Sequence, residues 1–148
     1  MDLILNSIFG VNDMAEKRNT KQKQVIYSVI KELDCHPTAQ QLHQILMERG
    51  YNIGISTVYR VLADAVEDGI VTNLFSNDKM EHFDGNTNPH YHIICTECGR
   101  IYDSLVPYNK QIDAHGGEED KGFKILAHNL EFIGICPDCQ NNKECRFV

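Results

Sequence analysis

The chain has 148 residues, a length that fits one ordinary domain or two small ones and allows a core to form without disulfide bonds. With 42% hydrophobic and 24% charged residues, the composition is that of a globular protein and excludes the disordered and fibrous classes. The formal net charge of -7 argues against a generally basic nucleic-acid binder. A local basic cluster nevertheless occurs in the first half, at Lys17, Arg18, Lys21, Lys23 and Lys31.

The compartment is predicted from two features of the sequence. No apolar run approaches the roughly 18 residues of a membrane span, and the first ten residues lack the pattern of a signal peptide. We therefore expect a cytoplasmic protein with no membrane partner. Because thiols stay reduced in that compartment, the six cysteines favour metal binding over a disulfide framework.

Two amphipathic helices are predicted first. Apolar residues recur at helical spacing from Lys21 to Leu33, and His36-Pro37 ends this helix. Thr38 is the predicted N-cap of a second helix, with Gln41 completing a capping box three residues later. Arg49-Gly50 supplies a cation and a glycine at the end of the second helix.

A third helix and a hairpin follow. Ser56 is the predicted N-cap of the third helix, which ends at Gly69. Two predicted strands, Ile70–Phe75 and Met80–Asp84, are joined by a polar turn at Ser76–Lys79. Three short helices followed by a hairpin predict a winged helix-turn-helix domain.

A winged helix places its third helix in the major groove of double-stranded DNA. The predicted DNA-contacting residues on the first turns of that helix are Ser56, Thr57, Tyr59 and Arg60. The basic cluster around Lys21 is expected to touch the phosphate backbone. The alternative is that these side chains are ordinary solvent-facing residues of a three-helix core.

Two cysteine pairs mark the second half. Cys95 and Cys98 form one CxxC knuckle, and Cys136 and Cys139 form the other. Four thiolates are the number that a tetrahedral structural zinc requires, and a two-residue spacer lets both sulfurs of a knuckle face one ion. The 37 intervening residues exceed the usual gap of a zinc ribbon, so an extra element must be inserted there. A redox dithiol or buried free thiols are the alternative.

A second constellation precedes the first knuckle. His90 and His92 point to the same face if they lie in one strand, and Asp84 and Asp103 flank them in sequence. Asp103 is expected on a strand over Ile101–Val106. Imidazole and carboxylate ligands suit iron, manganese or zinc, and this set differs chemically from an all-sulfur site. Surface histidines and solvated acids are the alternative.

The remaining features are less specific. Gly122–Ile135 is predicted to form a strand pair that ends at the second knuckle, after an exposed loop over His115–Lys121. Cys35 and Cys145 are either redox-sensitive thiols or incidental cysteines. Glu81 and His82 are expected to be solvated wing residues, although they could add ligands.

Four motifs occur in a specific order along the chain. They are His36-Pro37-Thr38-Ala39, Ser56-Thr57-Val58-Tyr59-Arg60-Val61-Leu62, His90-Tyr91-His92-Ile93-Ile94-Cys95-x-x-Cys98-Gly99 and Gly134-Ile135-Cys136-x-x-Cys139. From about Thr20 to Cys139, the chain resembles the ferric uptake regulator (Fur) family of bacterial metal-responsive repressors. The resemblance implies a winged-helix DNA-binding domain, a hinge near Asp84 and an α+β dimerisation domain. It also implies a homodimer that binds a palindromic DNA operator.

The resemblance also implies two metal sites. The residues that match the regulatory ligands of the family are His36, Asp84, His90, His92 and Asp103. Those that match its structural zinc ligands are Cys95, Cys98, Cys136 and Cys139. Since His36 lies in the DNA-binding half, a metal bound to it and to the other four ligands would select one angle between the halves. Without the resemblance, His36 would be interpreted as a turn residue before Pro37.

The branch of the family is indicated by single residues. Asp103, where iron sensors commonly carry glutamate, resembles the peroxide-responsive (PerR) branch, in which ferrous iron and peroxide oxidise a ligand histidine. The candidates here are His36 and His90, whereas manganese in the same site supports DNA binding without that chemistry. Arg60 instead resembles the iron-uptake and zinc-uptake branches. Lys110 stands where another family site has a carboxylate, so that site, with His128, is expected to be absent or altered.

The fold expected from these observations is α+β. A winged-helix DNA-binding domain spans residues 1–83, with an N-terminal extension at 1–18, and a metal-binding dimerisation domain with a four-cysteine zinc site spans residues 84–148. The predicted function is metal-dependent repression that senses peroxide through Fe2+ or Mn2+, with structural Zn2+. The alternatives are an iron- or zinc-uptake regulator, a non-haem iron enzyme with a facial triad, and a zinc scaffold module.

Overall fold

The computed structural model describes residues 20–75, 79–114 and 119–145. Helix α1 is described over residues 20–32, and it is followed by α2 (Ala39–Glu48), α3 (Ile55–Glu67), α4 (Lys110–Asp113) and α5 (Pro137–Gln140). The strands are β1 (Thr72–Phe75), β2 (Glu81–Asp84), β3 (His92–Cys95), β4 (Ile101–Asp103), β5 (Glu119–Asp120), β6 (Phe123–Lys124) and β7 (Glu131–Gly134). In these ranges, no helix has both the length and the apolar character needed to span a membrane.

The first half is a winged helix. Helices α1, α2 and α3 bury one apolar stripe each around Ile26, Leu42, Leu46 and Leu62, all of which are fully buried. Strands β1 and β2 pair antiparallel as the wing, and Phe83 of β2 closes the core. The predicted helices and wing are confirmed. The turn residues 76–78 lie outside the described residues. The N-terminal extension 1–18, which includes Lys17 and Arg18 of the basic cluster, also lies outside them.

The helix ends follow local hydrogen-bonding rules. Thr38 caps α2 with the predicted capping box: its hydroxyl accepts from the Gln41 backbone N–H, and the Gln41 side chain accepts from the Thr38 N–H. Helices α2 and α3 both end in a Schellman motif, with Gly50 and Gly69 at positive φ. The predicted Ser56 cap is wrong, because α3 begins earlier, with Gly54 as N-cap and no side-chain cap hydrogen bond.

The second half is built on a three-stranded sheet in the order β4-β3-β7. Strand β4 is antiparallel to β3, whereas β7 is parallel to it. The predicted strand over Ile101–Val106 ends at Asp103. The predicted strand pair over Gly122–Ile135 is wrong, because β6 pairs with β5 and β7 pairs with β3. Strand β7 pairs with β3, which is distant in sequence, and does not form a hairpin with the nearby β6.

The loop between α1 and α2 connects the two halves. Cys35 forms an isolated antiparallel bridge with Tyr102, and the His36 N–H donates to the carbonyl of Ile101 at 3.1 Å. On the other side, the Phe83 N–H donates to the carbonyl of Pro37 at 2.9 Å. The loop that carries His36 is therefore fixed by backbone hydrogen bonds to both β4 and β2. The domain boundary predicted between residues 83 and 84 stays a prediction.

Candidate metal centres and nucleic-acid interface

Five histidine and aspartate side chains from separate parts of the chain meet between the two halves. Each offers one nitrogen or oxygen atom, and these five atoms all lie within 4.8 Å of one another. The set consists of His36, Asp84, His90, His92 and Asp103. These are the five residues that the sequence indicated for a regulatory metal.

Each member reaches the cluster from a different structural position. His36 comes from the loop between α1 and α2, Asp84 ends β2, and Asp103 ends β4. His92 is the first residue of β3, directly opposite Asp103 in the register. His90 lies before β3, so the prediction that both histidines share one strand is wrong. The chain bends before His92, and both rings still face the cluster, with centroids 4.5 Å apart.

The donor atoms converge on the two carboxylates. The Nε2 atoms of His36 and His90 each lie 2.8 Å from Oδ1 of Asp103. The Nε2 atoms of His90 and His92 lie 3.2 and 3.3 Å from Oδ2 of Asp84. Three imidazole nitrogens and two carboxylates thus face one common point.

The cluster leaves polar atoms without a well-aligned hydrogen bond. The Nε2 atoms of His36 and His90 are buried and, although near Asp103, have no partner of acceptable hydrogen-bond geometry among the described residues. Such buried polar atoms are costly unless a ligand satisfies them. A divalent cation at the centre would satisfy both nitrogens, and a mixed nitrogen and oxygen set is suited to iron or manganese. The residues present therefore fit a metal ion.

The pKa shifts of His36 and Asp84 favour metal binding. Burial is the main cause that lowers the pKa of His36, despite the opposing charges of Asp84 and Asp103. Burial would raise the pKa of Asp84, but a hydrogen bond from His92, the charge of His36 and the Asn86 N–H together lower it. A neutral imidazole and an ionised carboxylate are the forms that bind metal.

Backbone carbonyl groups orient two histidine rings, those of His90 in the cluster and His82 next to it. The Nδ1 atom of His90 lies 2.6 Å from the carbonyl oxygen of Asn88, which can only accept, so Nδ1 donates to it and the other ring nitrogen, Nε2, faces the cluster. His82 is 4% exposed and donates from Nδ1 to the His36 carbonyl at 2.9 Å. The expectation that His82 is solvated is wrong. Strand β2 buries three consecutive residues, a pattern that alternation along a strand does not predict.

The four knuckle cysteines form the second cluster. One sulfur atom from each of Cys95, Cys98, Cys136 and Cys139 lies within 4.8 Å of the other three. Sulfurs bound to one zinc by 2.3 Å tetrahedral bonds are separated by about 3.8 Å. The sulfurs of Cys98 and Cys136 are 3.9 Å apart, so this set fits a tetrahedral zinc.

Strand pairing explains how distant knuckles meet. In the parallel pair of β3 and β7, Cys95 stands opposite Gly134, so both knuckles leave the sheet at the same end. The backbone N–H of Cys136 donates to the Cys95 sulfur at 3.3 Å. Burial would raise the pKa of Cys95, but this and other backbone hydrogen bonds lower it to about 6. A thiolate is the form that binds zinc.

The predicted DNA-contacting side chains lie on α3 and α1. Tyr59 and Arg60 are 46% and 49% exposed, Ser56 and Lys21 are exposed, and Thr57 is half-buried. Arg60 lies 3.7 Å from Asp64, which holds its guanidinium against α3. The surface therefore offers a phenol, hydroxyl groups and one guanidinium on the first turns of α3 and an ammonium group on α1, groups that contact bases and phosphates.

Two further residues do not join either cluster. The Nε2 atom of His128 lies 3.4 Å from the Asp113 carboxylate, and Lys110 is exposed. Among the residues that the structure describes, no third group of histidine, cysteine and acidic ligands forms around them.

Comparisons with known proteins identify relatives that cover most of the chain. Residues 14–133 match the profile of the ferric uptake regulator family. The peroxide-responsive repressor PerR of Staphylococcus aureus is 36% identical over 124 residues, which is 84% of this chain and 83% of that protein. FurB from M. tuberculosis, a zinc uptake regulator with a crystal structure, is 31% identical in sequence. The two structures superpose with a TM-score of 0.52 over 86% of this chain and 98% of FurB. The Vibrio cholerae ferric uptake regulator is 27% identical with a TM-score of 0.59, covering 84% and 99%.

Proposed function

The chain belongs to the ferric uptake regulator family of transcriptional regulators, and we propose that it is a homodimeric repressor whose DNA affinity is set by a divalent metal and lowered by peroxide. One observation carries this proposal. The five-residue cluster joins His36 and Asp84, which lie in the loop after α1 and at the end of the wing strand β2, to His90, His92 and Asp103 on or next to β3 and β4. Occupation of this cluster would therefore fix the winged helix against the sheet.

The link from metal to DNA follows from the loop that carries His36. This loop joins α1 to α2, and its backbone already pairs with β4 through Cys35 and His36. An ion bound by both His36 and Asp103 would add a second connection between this loop and β4. In a dimer, the angle of each winged helix sets the separation of the two α3 helices, which must match the operator half-sites.

The four cysteines serve a different purpose in this proposal. They hold α5 and the end of β3 together at the edge of the sheet, and four thiolates without an open position are typical of a structural zinc. A zinc ion there would stabilise the fold and would share no ligand with the regulatory cluster.

The proposed dimer interface is on the sheet half. The hydrophobic residues exposed near β7 and β4 are Leu105, Val106, Ile133 and Ile135, of which Leu105 is 98% and Ile133 70% exposed. Strand β7 pairs only with β3 among the described residues. Exposed apolar surface and an unpaired edge are both typical of a surface that another copy covers.

Peroxide sensing is supported by the identity to the Staphylococcus aureus repressor and by the ligand set. Ferrous iron bound at the cluster would supply the electrons that reduce peroxide. The Nε2 atoms of His36 and His90 both lie 2.8 Å from the same oxygen of Asp103, so either ring would be within reach of an oxidising species formed at the cluster. Loss of one ligand would release the winged helix and lower DNA affinity.

Regulation of iron or zinc uptake is the second candidate. The 31% identity to the zinc uptake regulator FurB and the presence of Arg60 on α3 favour it. In both cases we place the protein in the cytoplasm, since its proposed partner is genomic DNA and its thiols need a reducing compartment.

The test is anaerobic operator binding by the zinc-loaded chain. A palindromic duplex selected from random DNA is titrated with protein that contains Fe(II) or Mn(II), before and after a small dose of hydrogen peroxide. We expect release in the iron sample only, with one added oxygen on the peptide that contains His36 or His90. Iron-dependent binding that survives peroxide identifies an uptake regulator. Operator binding of equal affinity with and without Fe(II) or Mn(II) would contradict the regulatory site and favour a zinc scaffold module.

A further inference from the structure

A fifth thiol lies beside the four-cysteine cluster. The sulfur of Cys145 is 3.3 Å from the sulfur of Cys139 and 3.7 Å from that of Cys136. Cys145 is not a member of the group whose four sulfurs all lie within 4.8 Å of one another. It therefore stands at one edge of the proposed zinc site, closest to Cys139.

The position of Cys145 is held by contacts of its own segment. After α5, the Lys143 N–H donates to the Asp138 carbonyl at 2.8 Å, which turns the chain back toward the knuckle. The Arg100 guanidinium then donates to the carbonyl oxygen of Cys145. Two hydrogen bonds, one at Lys143 and one at Cys145, thus hold this segment beside the knuckle.

We propose that Cys145 is a resolving thiol that forms a reversible disulfide with Cys139 when a peroxide oxidises the zinc-site sulfur. A disulfide bond is about 2.05 Å long, so the two sulfurs must approach by about 1.3 Å, a distance within the reach of side-chain rotation. The proposal rests on the assignment of the four knuckle cysteines to a structural zinc.

The reaction balances with hydrogen peroxide as the oxidant. The Cys139 thiolate attacks one peroxide oxygen, the O–O bond breaks, and hydroxide leaves and takes a proton from solvent to become water. The Cys145 sulfur then attacks the resulting sulfenic acid: the S–S bond forms, the S–O bond breaks, and the Cys145 proton leaves with the oxygen as a second water. Two sulfurs have lost two electrons in total, and the peroxide has gained them.

The surroundings give a small oxidant access to this pair. Cys139 and Cys145 are both only half-buried. Cys145 also lines a cleft of about 510 Å³ between the segment after α5 and helix α2, with Arg100 and Glu144 on one side and Gln44 and Glu48 on the other. The cleft gives peroxide a route to the Cys145 side of this thiol pair that is separate from the histidine cluster. Oxidation would leave the proposed zinc with three sulfur ligands instead of four.

The experiment maps the disulfide in the full chain loaded with zinc and Mn(II), without iron, so that the histidine chemistry is absent. After hydrogen peroxide treatment and alkylation of free thiols, trypsin cleaves after Lys143 and Arg146, and a second protease cleaves before Asp138. These cuts separate Cys136 from Cys139. We expect a cross-linked pair of peptides, residues 138–143 and 144–146, which disappears on reduction with dithiothreitol.

Variants and zinc analysis separate the possible outcomes. C145S should keep one zinc per subunit and lose the cross-link. The matched control is C35S, at the other cysteine outside the knuckles, and it should keep the zinc and the cross-link. A disulfide confined to Cys136 and Cys139, with Cys145 fully alkylated, would overturn the proposal. Loss of zinc from untreated C145S would also overturn it, because Cys145 would then be a ligand. Absence of zinc from the unaltered chain would refute the assignment of the four knuckle cysteines to zinc. The presence or absence of the cross-link would still show whether Cys139 and Cys145 form a disulfide.

Discussion

Gly85, which directly follows Asp84, lies against the backbone of helix α1. A Cβ atom at this position would stand 2.9 Å from the carbonyl oxygen of Ile30 and 3.0 Å from the Cα of Lys31. Both neighbours are backbone atoms of a helix, so they cannot rotate away as a flexible side chain would. We predict that Gly85→Ala forces α1 and the end of β2 apart.

The expected magnitude follows from this close contact. Overpacking of a well-packed site by one methyl group costs about 1–3 kcal/mol. For a chain of this length, that free energy lowers the melting temperature by roughly 2–12 °C. If the strain is instead relieved by moving the Asp84 carboxylate away from His90 and His92, the same energy weakens metal binding by about 5- to 150-fold.

The assays are thermal unfolding of the zinc-loaded chain followed by circular dichroism and titration of the regulatory site with Mn(II). Gly134→Ala is the matched control, because a Cβ there would meet only the Ile93 side chain at an ordinary 3.8 Å. The control is expected to match or slightly exceed the stability of the unaltered protein. Gly85→Ala with an unchanged melting temperature and unchanged Mn(II) affinity would refute the reasoning.

Three further changes test separate parts of the protein. His92→Ala should abolish metal-activated DNA binding while zinc content and the dimer persist, as measured by elemental analysis and size-exclusion chromatography; unchanged DNA binding would contradict the regulatory site. Arg60→Ala should weaken operator binding by about 1–3 kcal/mol without altering metal content, whereas Arg49→Ala, which removes a surface ion pair with Glu32, should not; equal losses would rule out a specific role for α3. Thr38→Ala removes the α2 cap and should cost about 1 kcal/mol of stability, seen as a melting temperature lower by roughly 2–4 °C; an unchanged value would mean that the cap is not limiting.

Local patterns in the sequence predict the first half well. The apolar spacing of α2 and α3 and the capping box at Thr38 are features of consecutive residues, which the helix geometry reproduces directly. The cap at Ser56 failed because the Gly54 carbonyl already accepts from the Thr57 and Val58 N–H groups. This shift of two residues depends on the preceding turn, which the helical periodicity does not describe.

The second half depends on partners that are distant in sequence. The spacing of the cysteines indicates their clustering, but the pairing of β7 with β3 instead of a nearby strand depends on tertiary packing. The five residues of the histidine cluster lie together, although His90 is outside the strand predicted for it. The burial of His82 had no signal in the sequence, because its contact is with the backbone of a residue from another element. Metal binding at both clusters stays a prediction.

The parallel pairing of β3 and β7 has a consequence for the unfolded chain. A zinc ion held by both knuckles would close a loop that contains β4, α4, β5, β6 and β7. If it acts as a covalent cross-link would, a closed loop of roughly 40 residues reduces the conformational entropy of the unfolded state by an amount worth about 4 kcal/mol. The zinc would then restrict the unfolded chain by keeping the ends of β3 and β7 close together, so that these two strands can pair again after each unfolding event.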